Sequence, residues 1–451
     1  MSLEGAKHQK IEQIELPLEF KVGSGEALTA TNEIVRLGTG RLMEEVVGNV
    51  NVEMALRQVR RNKGGPGIDG MTVDELPRHV AENWGVLRTQ LLAGTYQPKP
   101  VKRQETDKEG GGLRILGIPC VLDRFIQQCI LQVLQPRFDP TFSEHSYGFR
   151  PGRGAHQAIS AARRYIQEGR RWVVDVDLEK FFDRVNHDVL MGRLAKRITD
   201  KRLLKLIRRY LEAGMMAEGM VAERCEGTPQ GGPLSPLLAN VLLDDVDKEL
   251  EKRGHAFARY ADDCNVYVRS RRAGERVMEA LRGLYAKLRL KVNESKSAVA
   301  RWRDRTFLGY SFWKAKGEVK LKVAPKALEK MKQRVREITR RCGGRSMKTV
   351  AVELGRYLNG WKAYFGSADT PGIFRDLDSW IRRRLIAVQL KQWKCSATVY
   401  RRLRARGVPA YPSKAAASNA GRWWRTALHP ALRTAFPKRY FVLLGVPELA
   451  T

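Results

Sequence analysis

Ala256-Phe257-Ala258-Arg259-Tyr260-Ala261-Asp262-Asp263-Cys264-Asn265-Val266-Tyr267-Val268 is the stretch on which the reading of this chain turns. Apolar and aromatic residues from Ala256 to Tyr260 predict one strand and those from Cys264 to Val268 another. Ala261-Asp262-Asp263 is then the tip of a hairpin. Adjacent acids on such a tip project their carboxylates at one point only if a cation offsets their repulsion, and Mg²⁺ is the natural candidate. Most acids serve in surface turns and ion pairs, so a second acidic source must point the same way.

Trp172-Val173-Val174-Asp175-Val176-Asp177 supplies it, reading as a buried strand that carries two acids. Strand residues two apart face the same side, so Asp175 and Asp177 are both open candidates for a third carboxylate. In-line phosphoryl displacement at two ions about 3.5–4 Å apart needs one. Phe181-Phe182 follow, and a long helical stretch is predicted from about Asp188 to Leu211.

Toward the N-terminus, Leu122, Phe125, Ile126, Cys129, Ile130, Val133 and Leu134 repeat at three and four, predicting a helix that packs one face and ends before Pro136. A shorter helical pattern from Val50 to Arg61 runs into Lys63-Gly64-Gly65-Pro66-Gly67-Ile68-Asp69-Gly70. Glycine and proline forbid regular structure there, and the exposed backbone suits close approach to a phosphate. No Gly-Lys-Ser/Thr spacing accompanies it, which excludes an NTP-hydrolysing P-loop. Residues 1–48 have weak periodicity and are expected to form a loosely ordered or partner-ordered arm.

Composition narrows the class. In 451 residues, 43% hydrophobic content allows two or three packed units, while 82 Lys plus Arg against 49 Asp plus Glu leaves a formal charge of +33. Nucleic acid is the first partner to consider. No run of 18 apolar residues, signal-peptide core or lipidation motif is present, so a soluble, intracellular chain with no membrane partner is expected. The six cysteines, at 120, 129, 225, 264, 342 and 395, never form Cys-x-x-Cys or pair with histidine at zinc spacing, predicting free thiols.

Residues 326–394 read as three amphipathic helices divided by Cys342-Gly343-Gly344 and by 366–372, a separate helical unit. Leu377, Trp380, Ile381, Leu385 and Val388 form its packing stripe, while Arg382, Arg383, Arg384 and Lys391 offer charge to phosphate. The remaining residues, 395–451, carry many arginines and Trp423-Trp424 with little clean periodicity.

Several motifs, in order over about residues 50–395, make the chain resemble the reverse transcriptase and maturase proteins of bacterial group II introns. Asp177-Leu178-Glu179-Lys180-Phe181-Phe182-Asp183 resembles the family's first catalytic motif, with the metal-binding Asp five residues before an aromatic. The resemblance therefore selects Asp177, beside Leu178, Asp262 and Asp263, as the metal set. It makes Phe182 the ring that excludes a nucleotide's 2′-hydroxyl. Thr228-Pro229-Gln230-Gly231-Gly232-Pro233-Leu234-Ser235-Pro236 is similar to the family's nucleotide-approaching loop, which implies a role for Gln230. Leu113-Arg114-Ile115-Leu116-Gly117-Ile118-Pro119 is similar to the fingers strand that contacts the triphosphate through Arg114, with Lys108 as its partner.

By the same resemblance, Ser146-Tyr147-Gly148-Phe149-Arg150-Pro151-Gly152-Arg153 implies phosphate contacts from Arg150 and Arg153. Leu290-Lys291-Val292-Asn293-Glu294-Ser295-Lys296 implies that Lys296 neutralises charge near the centre. Phe307-Leu308-Gly309-Tyr310 implies a primer grip at Gly309 and Tyr310. Residues 65–70 match the family's amino-terminal extension, absent from shorter retroviral polymerases. The helices over 326–394 resemble the thumb or maturase region, with nucleic-acid contacts expected from Arg382, Arg383 and Lys391.

The implied architecture is α+β: a right-hand polymerase with fingers and an antiparallel palm sheet over 49–313, an all-helical thumb over 326–394 and a basic DNA-binding region over 395–451. Two Mg²⁺ ions, with Mn²⁺ as a substitute, would serve RNA-directed DNA synthesis from dNTPs on an RNA template with a DNA primer. Group II intron RNA and target DNA are the further partners, in a bacterial cytoplasm and at the nucleoid when engaged with DNA. His429 is the sole histidine after 394, so no Cys/His endonuclease is expected and the primer would come from elsewhere. Two other readings are a maturase acting chiefly as an RNA-folding cofactor and a domesticated relative in repair or defence. No oligomeric state is read from the sequence.

Overall fold

The computed structural model describes residues 40–107, 113–217, 220–222, 224–229, 231–341, 344–419 and 421–450. The arm expected over 1–48 lies outside the described residues up to position 39. From there a short helix, Leu42–Val46, buries Leu42, Met43 and Val46.

Strands in chain order are β1 (Val101–Asp107), β2 (Leu113–Ile118), β3 (Trp172–Val176), β4 (Met215–Ala217), β5 (Met220–Ala222), β6 (Ala256–Tyr260), β7 (Asp263–Val268), β8 (Ala298–Arg301), β9 (Thr306–Phe307), β10 (Tyr310–Ala315) and β11 (Glu318–Val323). They form three sheets: β2-β1-β4-β5, β11-β10-β9 and β6-β7-β3-β8. The last is antiparallel throughout.

That sheet is buried on both faces, which is why its strands read as apolar rather than alternating. Val174, Val176, Phe257, Cys264, Val266 and Val268 turn to one core, shared with helices Val121–Phe138 and Ser235–Lys252. Val173, Ala256, Ala258 and Tyr267 turn to a second core. The second core holds β10, β11, the helix Ala155–Gln167 and the C-terminal helices. Period-two alternation across one sheet thus joins the two cores.

Three sequence expectations need correction. The helix predicted to stop before Pro136 runs to Phe138, because a proline in the last turn forfeits few bonds. The single helix expected over 188–211 is two, His187–Ala195 and Lys201–Glu212. Asp200 breaks them: its carboxylate accepts from the N–H groups of Arg202 and Leu203 at the new helix start, and from Met43 N–H at 3.0 Å. The second strand of the acidic hairpin begins at Asp263, not Cys264.

Helices Pro325–Ile338, Met347–Phe365 and Pro371–Trp393 occupy the region expected to be helical. After them come Ser396–Arg404, Ala410–Ala417, Trp423–Thr426, Pro430–Ala435 and Lys438–Leu443. Segments this short complete too few turns to display an apolar stripe. Among the described residues no helix is long and apolar enough to cross a membrane.

The glycine-rich loop at 63–70 is seated on the start of helix Val121–Phe138. A Cβ at Gly67 would lie 2.6 Å from Cys120 Cα, so only glycine fits. Asp69 pairs with Lys99 at 3.2 Å. Behind them the buried Asp123 accepts from the hydroxyls of Tyr96 (2.9 Å) and Tyr210 (3.3 Å) and from Lys99 N–H (3.1 Å). Burial outweighs these donors and pushes the Asp123 carboxyl up to about 6, from the ordinary 3.8.

The folded state therefore binds the extra proton, so the group's contribution is complete below about pH 4 and is lost as pH rises through about 6. The stability advantage of wild type over Asp123→Asn should shrink by about 2 kcal/mol between those limits. Urea denaturation across that range measures it, and an advantage that grew with pH would contradict the assignment.

Candidate active site

β3 and β7 pair antiparallel with Val176 opposite Cys264. The next residues in that register, Asp177 and Asp263, therefore leave the sheet side by side. Tyr260 pairs with Asp263 across the hairpin, so Ala261 and Asp262 alone make the turn. Two-residue hairpin turns demand positive φ, usually met by Asn or Gly. Here Ala261 takes it, with φ 58°. Such strain in a non-glycine residue persists only where surrounding contacts impose it.

The segment 290–297 clasps the other acid. Asp177 N–H donates to Ser297 Oγ at 3.0 Å, and Asn293 N–H donates to the Asp177 carbonyl at 2.8 Å. Lys296 Nζ lies 3.0 Å from Asp177 Oδ2. Asp175, the alternative that spacing left open, is taken by Arg305 at 2.6 Å. Burial pushes its carboxyl up, Arg305 opposing and Asp177 adding to the rise.

Asp263 keeps a solvent-facing edge, yet the protein crowded around it, then the like charges of Asp262, Asp175 and Asp177, push it up to about 7. Lys296 works against that shift. Among the described residues no three His, Cys, Asp or Glu side chains close to metal-ligand spacing. Like charges repel, and Asp177 is drawn to Lys296 instead. The donor set is hard carboxylate oxygen, which fits Mg²⁺ or Mn²⁺ rather than zinc. Leu178 buries its side chain, leaving only its backbone to serve a metal.

Distant motifs converge in a cleft of about 1130 Å³, whose lining includes none of the three aspartates. Its lining includes Gly64, Leu116, Ile118, Arg124, Phe149, Phe182, Gly231 and Gly232. The half-buried Phe182 packs edge-on to Phe181, and its carbonyl accepts from Thr228 N–H at 2.7 Å, tying the first motif to the loop at 228–236. Gly231 takes φ 135°, which favours glycine, and a Cβ at Gly232 would lie 2.4 Å from Gln127 Oε1, so that side chain would have to move. Arg114 stands on β2 opposite Thr106. Lys108 and Gln230 lie outside the described residues.

Two other expected contacts, those of Arg150 and Tyr310, are corrected. Arg150 is buried and forks onto Asp139 while donating to the carbonyls of Ser143, Ser146 and Asp139, so it braces its own loop instead of meeting phosphate. Arg153 pairs with Glu144 and borders a cavity of about 970 Å³ with His156 and Arg164. Gly309 is a tight corner, φ 79°, against the Phe365 ring. Tyr310 is fully buried and donates to the Tyr364 carbonyl, which keeps it from any primer.

Arg383 lies 3.8 Å over the Trp424 ring and donates to the Trp424 carbonyl, fastening the tail to helix Pro371–Trp393. Lys391 stands 5.3 Å from the Trp423 ring, and Arg382 is half-buried on the same helix. Sequence reading missed Phe149, which enters the cleft with φ 59°, as well as Arg305 and the buried Arg259. A lone arginine inside an apolar strand was the available signal for the last.

Compared with known proteins, residues 106–312 match the family model for reverse transcriptase (RNA-dependent DNA polymerase), and 328–407 match the maturase-specific domain of group II introns. The chain is a member of the reverse transcriptase family. It is 33% identical over 285 residues to Protein YkfC of Escherichia coli K12, across 54% of this chain and 75% of that protein. Over 196 residues it is 35% identical to the group II intron-encoded protein LtrA of Lactococcus lactis subsp. cremoris, spanning 43% of this chain and only 32% of LtrA. A solved chain from a partial Cas6-RT-Cas1–Cas2 complex is 26% identical, covering 55% of this chain and 42% of that one, with TM-score 0.36.

In this reverse transcriptase the carboxylates fall within the region matched at 106–312, and so does the cleft lining apart from Gly64 and residues of the helix Asn49–Asn62 such as Arg57 and Arg61. Members of the family use divalent metal ions, which agrees with the oxygen donors found here. Because Arg150 serves the fold, Arg150→Met should cost about 3 kcal/mol of stability. The KM for dNTP should stay unchanged, as checked by thermal melts beside steady-state extension. A raised KM with unchanged stability would return Arg150 to the binding surface.

Proposed function

We propose that this reverse transcriptase copies RNA into DNA at the cluster of Asp177, Asp262 and Asp263, as the protein of a group II intron. The observation that carries the proposal is the strand register that sets Asp177 beside Asp263, with Lys296 against them. Those three carboxylates would hold two Mg²⁺ ions, Mn²⁺ being the substitute, with the Leu178 backbone alongside. Bound there, the ions supply a lowered pKa for a primer 3′-hydroxyl and offset charge on the transferred phosphoryl group. Lys296 tempers the repulsion among the acids, and Phe182 forms the wall that a 2′-hydroxyl would strike. Arg114, Lys108 and Gln230 would receive the dNTP, and Arg153 a backbone phosphate.

In the right-hand description, 49–313 are fingers and palm, 326–394 the thumb and 395–451 a DNA-binding tail, preceded by an arm over 1–48. The thumb would hold intron RNA and the copied duplex, in a bacterial cytoplasm and at the nucleoid when target DNA is engaged. The match at 328–407 supports the intron-RNA part of this reading and also favours a second role as an RNA-folding cofactor in splicing.

Primer extension on an RNA template with Mg²⁺ and dNTPs tests the site. Asp262→Asn with Asp263→Asn should lower extension by about 1000-fold or more while leaving RNA affinity intact. If wild type also fails to extend while binding structured RNA tightly, the cofactor reading replaces this one. Phe182→Ala should raise ribonucleotide incorporation relative to deoxynucleotides by about tenfold or more. Unchanged discrimination would make Phe182 a packing residue.

A further inference from the structure

Arg259 is a charged side chain that the chemistry proposed above does not use, sealed inside the sheet with 1% of its surface exposed. Burying a guanidinium and a carboxylate together is a poor source of stability, since a packed apolar pair often does as well or better. What distinguishes Arg259 is where its donors go. Nε donates to Asp247 (2.8 Å) and Nη2 to Asp247 and Ser146 Oγ (2.7 Å), while Nη1 donates to Asn240 Oδ1 (3.0 Å) and the Ala261 carbonyl (2.9 Å). All five N–H groups of the guanidinium are engaged.

Ala261 is the strained residue of the acidic turn, and its N–H side is braced as tightly as its carbonyl. A Cβ on Gly148 would come 2.2 Å from Ala261 N, so the segment 146–148 lies directly on the turn. That segment is fixed to β6 by Tyr147 N–H on the Arg259 carbonyl (2.8 Å) and Arg259 N–H on the His145 carbonyl (2.9 Å). Asn240 Nδ2 donates to the Gly148 carbonyl at 3.0 Å. Phe149, next in the chain, enters the cleft that Phe182 also lines.

We infer that Arg259 is a positioning residue: through the Ala261 carbonyl, Ser146 and Asn240 its guanidinium sets where Asp262 and Asp263 point and locks the turn to the cleft wall. The inference rests on the reading that these aspartates are catalytic. Lysine keeps the charge but presents three donors from a single point, and cannot span Asp247, Ala261 and Ser146 together.

Steady-state dNTP kinetics on a primed RNA template, with a Mg²⁺ titration and thermal melts, test it in the full chain. Arg259→Lys should lower kcat by about 100-fold and raise the half-saturating Mg²⁺ severalfold, with the KM for dNTP within about threefold of wild type. Asn240→Ala leaves the Asp247 pair intact and cuts one tether, and should lower kcat by about tenfold with the same unchanged KM. A folded Arg259→Lys with near wild-type kcat and Mg²⁺ dependence overturns the inference. So does a lowered melting temperature as the sole effect. If Arg259→Lys does not fold, unchanged kcat in Asn240→Ala overturns it instead. Asp262→Asn run alongside separates the two claims: an active Asp262→Asn defeats the catalytic reading itself. Its inactivity beside an unaffected Arg259→Lys defeats only the role given to Arg259.

Discussion

Pairing of β3 with β7 in the register that sets Val176 opposite Cys264 brings Asp177 and Asp263 together from positions 86 residues apart in the chain. Like charges directly across a strand pair are destabilising. Antiparallel hydrogen bonding and burial of both sheet faces must outweigh that repulsion. The sheet does so by lying between two cores, with Val174 and Val266 turned to one and Val173 and Tyr267 to the other. A slip of one residue would exchange those faces, so the apolar alternation that secures the fold also fixes where the carboxylates meet.

Charge near the site is sorted by paired cations. Arg305 takes Asp175, Lys296 takes Asp177, and Arg259 takes Asp247 behind the turn. What remains crowded is Asp263, whose carboxyl is held up near neutrality by burial and three acidic neighbours. A carboxylate cluster poised in this way has oxygen to offer a divalent ion, and the gain on binding one comes from relieving repulsion already built into the fold. Positive φ at Phe149, Lys180 and Ala261 puts backbone strain at the same place.

Arginine elsewhere also serves assembly. Arg150 ties three chain positions, 139, 143 and 146, and Arg383 and Arg406 lie over aromatic rings that pack the tail. A net charge of +33 therefore overstates the phosphate-facing surface, because part of it is consumed inside. The tail, which gave no periodic signal, is held by such contacts and by ring packing, with Arg406 over Phe436 and Trp393 and Phe436 stacked at 5.7 Å.

Local chemistry determined much of this protein. The hairpin with its acidic tip, the buried acidic strand, the glycine loop and the three long helices after 325 were all legible, because each depends on residues close in sequence. The choice between Asp175 and Asp177 was not fixed by spacing, since both face one side of a strand, and the partner that takes Asp175 is 130 residues away. Whether an arginine meets phosphate or its own loop was equally illegible: Arg150 and Arg153 have the same chemistry, and only packing around 139–146 engages one fully. The meeting of Gly64, Phe149, Phe182 and Gly232 in one cleft was likewise decided by tertiary structure, because it depends on how sheets and helices stack rather than on any local propensity.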